Sequence, residues 1–201
     1  MSKNTQVLID SLPEGKLSES NYKLVESPMP EASEGEVLVK TIAIGIAAGT
    51  RAGLQGSASY AGAPQTGIVM NSLGVGEVVA GDNSSFSAGM KVQARTGWQS
   101  YSVHKTSELT EIPEGIDPLH YLGPLGINGL TAYFGLLEVG QPKTGETVMV
   151  SAAAGSVGHM VGQIAKLKEC NVVGVCGTDV KCEKLISDLG FDAAVNYKEA
   201  N

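Results

Sequence analysis

The chain has 201 residues, 42 % of them hydrophobic and 17 % charged, with 26 glycines and few aromatics. This is the balance of one or two globular α/β domains, not of a disordered chain. Its formal net charge of −7 is scattered, with no long block of one sign, which speaks against nucleic acid or an anionic membrane as partner. No apolar run reaches the length of a membrane span, and Met1–Gln6 lacks the apolar core of a secretion leader, so the cytosol is the expected compartment.

Short β-rich runs are predicted at Gln6–Ile9, Tyr22–Val25, Glu36–Ile46, Gly74–Ala80, Lys91–Ala94 and Ser100–Val103, with Pro and Gly punctuating the gaps. Within them Val37, Val39 and Thr41 alternate with Glu36, Leu38 and Lys40. Closely spaced strands with glycine turns predict a small, partly open barrel over residues 1–121. Residues 53–72, rich in Gly, Ala and Ser, read as a long surface loop, either one wall of a substrate cleft or a plain linker. Asn83-Ser-Ser is formally a glycosylation sequon, empty of meaning without a secretion signal. After Asp117 the pattern turns helical. Leu130, Ala132, Tyr133, Phe134, Leu136 and Leu137 are apolar on nearly every side, which predicts a helix buried between two domains.

Residues 122–201 have a different rhythm. Val148–Val150 is an apolar run without alternation, as expected for a strand covered on both faces. Gly155 and Gly158 follow at once, then Val157, Met160, Val161, Ile164 and Leu167 at helical spacing. A second apolar strand ends at Cys176. A second helix carries Leu185, Ile186 and Leu189, with Gly190 at its C-cap, and a third strand spans Ala193–Tyr197. This β-α-β-α-β order is the first half of a dinucleotide-binding fold. Gly155, Ser156, Val157 and Gly158 form its turn, where the unpaired N–H groups and positive dipole end of a helix can hold a pyrophosphate without a basic side chain. Ala153 replaces the familiar first glycine, so the pattern is Ala-x-Gly-x-x-Gly.

The second strand decides between nucleotides. NAD enzymes place an acidic residue at its end, roughly 20 residues beyond the turn. Asp179 lies near that distance but past Gly177 and Thr178, where capping the next helix suits it better. Lys181 falls in the first turn of that helix, an unfavourable place for a cation unless an anion is near. A 2′-phosphate clamp, and so NADP, and an ordinary solvated lysine both fit.

Cys170, Cys176 and Cys182 are the three cysteines, with no Cys-x-x-Cys pair, and suit a reducing compartment as free thiols. Residues 1–169 carry no cysteine, and His104 and His120 have no ligand-like neighbour at useful spacing. Zinc sites need such ligands, so no metal is expected, and His159 reads as a surface histidine. Trp98 and Tyr101 fit either a substrate cleft or core packing.

The order of parts, with Leu125–Glu138 followed by Gly145–Gly158, resembles the zinc-independent medium-chain dehydrogenase/reductases, most closely the prostaglandin reductase and NADP-dependent alkenal double-bond reductase branch. The resemblance implies an α/β chain: a β-rich GroES-like domain, then the first half of a Rossmann-type nucleotide-binding domain. It implies NADP as cofactor, with Gly155–Gly158 on the pyrophosphate and Lys181 and Tyr197 on the 2′-phosphate. The implied reaction passes a hydride from NADPH to the β-carbon of an α,β-unsaturated ketone or aldehyde, without zinc and in a homodimer. Quinone reduction is the alternative from the same superfamily.

Where relatives read Asp-Pro-Tyr-Met-Arg, this chain reads Ala47-Ala-Gly-Thr-Arg51. Of that pocket wall Arg51 remains, to be weighed with Trp98 and Tyr101 as substrate residues. The sequence stops at Asn201, before the second half of the nucleotide fold. It is therefore expected to be a truncated product or fragment, with Val148–Val150 as an apolar edge prone to self-association; the alternative to an active enzyme is a non-catalytic isoform.

Overall fold

β-branched residues and glycine turns build the first unit, Met1–Leu122, and a strand-helix alternation builds the second, Gly123–Asn201. The computed structural model describes residues 3–57, 63–81 and 85–199. The sequon at Asn83 and part of the predicted 53–72 loop lie outside these.

In the first unit β1 (Lys3–Ile9) and β2 (Tyr22–Pro28) form an antiparallel pair. The other strands are β3 (Glu36–Ile44), β4 (Gly74–Gly81), β5 (Lys91–Ala94), β6 (Tyr101–Lys105) and β7 (Thr110–Ile112). They form a five-stranded antiparallel sheet in the order β6-β3-β4-β5-β7. Isolated bridges Gln6↔Gln99 and Leu8↔Val69 tie the pair to the rest of the unit. The predicted strands are all present, Lys91–Ala94 with the bounds expected and the others with shifted ends. β7 was not foreseen, since three residues are too few to show a period. A short helix α1 (Ala48–Leu54) was not foreseen either, and its last two residues fall in the predicted 53–72 loop. Alternation fails at Leu38, which is buried beside Val37 and Val39, because β3 slips register between Leu38 and Val39. Gly76 permits the close β3–β4 approach: a Cβ there would stand 2.6 Å from the Lys40 carbonyl oxygen.

In the second unit the strands β8 (Thr147–Ser151), β9 (Asn171–Cys176) and β10 (Ala193–Asn196) run parallel in the order β10-β9-β8. α2 (Ile127–Phe134) precedes them and runs on through a wider turn of π-helix at Gly135–Gly140. Helices α3 (Gly158–Leu167) and α4 (Asp179–Ser187) follow β8 and β9. One buried cluster joins Val150, Val172 and Cys176 from the strands to Ala165, Leu185 and Phe191. Gly162 is what lets α3 settle on it, since a Cβ there would lie 1.9 Å from the Phe191 ring.

Two expectations fail here. Val148–Val150 is not covered on both faces: Val150 is buried while Met149 is 71 % exposed, because α3 and α4 pack on the same side of the sheet. Likewise α2 is not buried all round. Ala132 and Leu136 are buried, but Leu130, Tyr133 and Phe134 are exposed. The edge position expected of β8 is the one found.

Candidate functional site

Parallel strands bring their C-terminal ends to one edge, and α/β folds bind ligands there. At this edge β8 passes into the turn at residues 152–157, β9 into Gly177 and Thr178, and β10 into Tyr197.

The β8 turn is tight. Ala152 takes a left-handed φ of +49°, an unusual state for a residue with a Cβ, and the Gly155 N–H closes on its carbonyl at 2.8 Å. A Cβ on Gly155 would meet that same oxygen at 3.1 Å, and one on Gly158 would stand 2.4 Å from it and 2.8 Å from the Ala153 Cα. Gly158 is therefore the residue that lets the start of α3 press against the strand end. Among the described residues nothing in the chain accepts from the N–H groups of Ser156, Val157 or Gly158. Three unpaired donors at the positive end of a helix suit a phosphate group. His159 turns its Nδ1 onto the Gly155 carbonyl at 2.7 Å, so it braces the turn.

The β9 turn carries Lys181. Thr178 caps α4, its Oγ1 accepting the Lys181 N–H at 3.4 Å. The cap is thus Thr178 and not Asp179, whose carboxylate instead accepts from the Asn196 Nδ2 at 2.9 Å. A hydroxyl one residue earlier takes the role because Thr178 is the last extended residue before the helix. Lys181 is exposed in the first turn, as expected from its spacing. The Tyr197 ring lies against the same backbone: a Cβ on Gly177 would meet it at 3.2 Å. The Tyr197 N–H donates to the Cys176 carbonyl at 3.0 Å. The structure therefore brings the residues 155–158, Lys181 and Tyr197 to a single edge.

One feature the sequence reading passed over is the meeting of Cys176 and Cys182, whose sulfurs are 3.2 Å apart. The signal was a strand-end cysteine followed by another in the first turns of the next helix. The Cys182 thiol is pushed up to about 11 by its hydrogen bond with Cys176, by burial, and by the nearby carboxylates of Asp179 and Glu199.

The substrate candidates lie in the first unit. Trp98 stacks on Tyr22 with ring centroids 5.3 Å apart and packs against Ile9, Leu54 and Met70. It also lines an open cavity of about 320 Å³ with Thr5, Thr41, Ile44 and Gln99. The Thr41 hydroxyl at this cavity has no hydrogen-bond partner among the described residues. Arg51, exposed on α1, and Tyr101, at the start of β6, are not in that lining. Asn4 pins the Tyr101 backbone from both sides, at 2.9 Å each. His104 is buried against the Ser102 hydroxyl at 2.8 Å, and burial depresses its pKa. No group of three or more His, Cys, Asp or Glu among the described residues could hold a metal ion, and no described helix is long and apolar enough to cross a membrane.

Comparison with known proteins gives the family. Residues 5–112 match the family model described as the N-terminal domain of oxidoreductase. Prostaglandin reductase 1 of Mus musculus is 43 % identical over 189 residues, covering 92 % of this chain and 55 % of that protein. The 2-alkenal reductase (NADP(+)-dependent) of Nicotiana tabacum is 38 % identical over 203 residues, 98 % of this chain and 59 % of its own length. Among solved structures, CurA from Vibrio vulnificus in complex with NADPH superposes with a TM-score of 0.91 at 37 % identity, over 98 % of this chain and 58 % of that one. The chain thus spans a little over half the length of the relatives it matches. With its first domain matched by the family model and both units matched by these relatives, the chain belongs to the medium-chain dehydrogenase/reductase oxidoreductases that carry this N-terminal domain.

Proposed function

We propose that this chain carries the NADPH-holding edge and the N-terminal domain of an enzyme that reduces the double bond of α,β-unsaturated ketones and aldehydes, of the prostaglandin and alkenal reductase type. The observation that carries the reading is the convergence at one strand edge of three unpaired N–H groups, at Ser156, Val157 and Gly158, with Lys181 and Tyr197. The residues fit the cofactor: Gly158 clears the backbone around the turn, and the cation of Lys181 sits where only a nearby anion would favour it.

In this reading the peptide N–H groups of residues 156–158 hold the pyrophosphate, while Lys181 and Tyr197 hold the 2′-phosphate. Thr178 keeps the first turn of α4 in place, so that Lys181 is presented rather than frayed. When bound, NADPH supplies the hydride that adds to the β-carbon of the substrate. Residues 122–201 act as the cofactor domain and residues 1–121 as the substrate domain. Trp98, at the cavity with Thr41, is the first substrate contact to test, ahead of Arg51 and Tyr101. The reading assigns no catalytic zinc, supported by the absence of cysteine from residues 1–169. It places the whole enzyme, as a homodimer, in the cytosol.

The test is a fluorescence titration with NADPH and NADH, followed by turnover assays with an enone and a quinone. NADPH should bind in preference, and Lys181→Ala should weaken it by about 10-fold or more, the loss of one charge-assisted contact. Equal affinity for the two cofactors would sink the reading. Quinone consumption without enone consumption would move it to the quinone reductases.

A further inference from the structure

We propose that Cys176 and Cys182 form a reversible intramolecular disulfide, and that closing it loosens the grip of the β9–α4 turn on a 2′-phosphate; the second part rests on the cofactor reading above. Cys176 closes β9 and is buried, whereas Cys182 is partly exposed on α4. Their sulfurs stand 3.2 Å apart, so reaching a bond of about 2.05 Å takes a closure of about 1.2 Å. Rotation of two side chains and a small shift of the first turns of α4 supply it. Cys170 is differently placed. It is buried, its thiol donates to the Lys143 carbonyl at 3.5 Å and the Lys168 carbonyl at 3.8 Å, and among the described residues no sulfur bonds to it.

The reaction needs an oxidant, and a low-molecular-weight disulfide such as oxidised glutathione serves. The partly exposed Cys182 thiol, once deprotonated, attacks one glutathione sulfur, forming a mixed disulfide and expelling one glutathione thiolate. The Cys176 thiolate then attacks the Cys182 sulfur and expels the second. The cysteine pair loses two electrons, the glutathione disulfide gains them, and the two cysteine protons leave on two glutathione thiols.

The link to the phosphate grip is covalent and short. Lys181 directly precedes Cys182, and both their N–H groups donate to the Thr178 carbonyl at 3.1 Å. Tyr197 hangs on the Cys176 carbonyl at 3.0 Å. Drawing Cys182 toward Cys176 moves the helix turn that carries Lys181 against the strand end that holds Tyr197.

The chain is incubated with oxidised glutathione, quenched with N-ethylmaleimide and peptide-mapped. Free thiols should fall from three to one, with Cys176 joined to Cys182, Cys170 alkylated, no glutathione retained, and full reversal by dithiothreitol. The oxidised chain should bind adenosine 2′,5′-bisphosphate at least threefold more weakly than the reduced chain, with adenosine 5′-monophosphate unaffected. Cys182→Ser should abolish both changes and Cys170→Ser neither. A glutathione adduct persisting on Cys182, a cross-link through Cys170, or a correct cross-link with unchanged affinity would overturn the proposal. A reduced chain indifferent to the 2′-phosphate would instead overturn the cofactor reading and the coupling with it, while the peptide map still decides the disulfide.

Discussion

The five-stranded sheet of the first unit covers its interior strand β3 on both faces, with Val37, Leu38 and Val39 all buried in succession. The three-stranded sheet of the second unit covers one face. Val150, Val172 and Cys176 share a core with α3 and α4, while Met149 and Val195 on the other face are 71 % and 40 % exposed. Yet the second unit's strands are the more uniformly apolar in sequence. The lesson is that strand composition records how much covering a strand is suited to, whereas burial records the covering it has. In β8 and β10 the two disagree across one face.

The sharpest way to break this contrast is to mutate both faces of the second unit. Leu185→Ala, at a fully buried position, should cost about 2–5 kcal/mol in urea unfolding. Met149→Ala should stay within about 0.5 kcal/mol. Equal costs would mean that the open face is covered in solution. Next in size, Gly162→Ala should cost about 1–3 kcal/mol by forcing the Phe191 ring aside, and Phe191→Leu in the same chain should return part of it. Failure of that rescue would remove the close helix–sheet contact from the account of the core.

A smaller effect concerns Asp192, which ties α3 to the sheet by accepting from Lys166 at 2.8 Å and from the Val172 N–H at 2.5 Å. These bonds hold its carboxyl below the usual value of 3.8. A carboxyl depressed in the folded state adds stability above its unfolded pKa and loses it as pH falls through the folded value. The stability gap between the wild type and Asp192→Asn should therefore be full at pH 6 and close at acid pH below 3.8. A pH-independent gap would assign the loss to geometry instead of charge. Smallest of all, Cys176→Ala should speed alkylation of Cys182 at pH 8, because the hydrogen bond with Cys176 leads the causes that raise the Cys182 pKa.

Much of this was readable in the sequence, for local reasons. The β-α-β-α-β order followed from apolar runs, helical spacing and the glycines of residues 155–158, each a property of a few consecutive residues. What escaped depended on partners distant in the chain. The burial of Leu38 needed a register slip against β4. The exposure of Met149 and Phe134 needed knowledge of which faces α3, α4 and their neighbours cover. The site followed the same division. Lys181 was found by counting from a strand end, but the meeting of Cys176 and Cys182 required knowing that the helix start folds back over the strand. Thr178 displaced Asp179 as the cap because the last extended residue lies one position earlier than the acid.

The edge position of β8 also sets a pattern in time. The Asn171 N–H bonds the Glu146 carbonyl at 2.9 Å, so the peptide groups of Glu146, Val148 and Val150 turn toward β9, and by alternation those of Thr147, Met149 and Ser151 turn away from it. In heavy water the amide protons of Val148 and Val150 should persist while that of Met149, between them, exchanges at once. A single strand would then keep two clocks, one slow and one fast, at alternate residues.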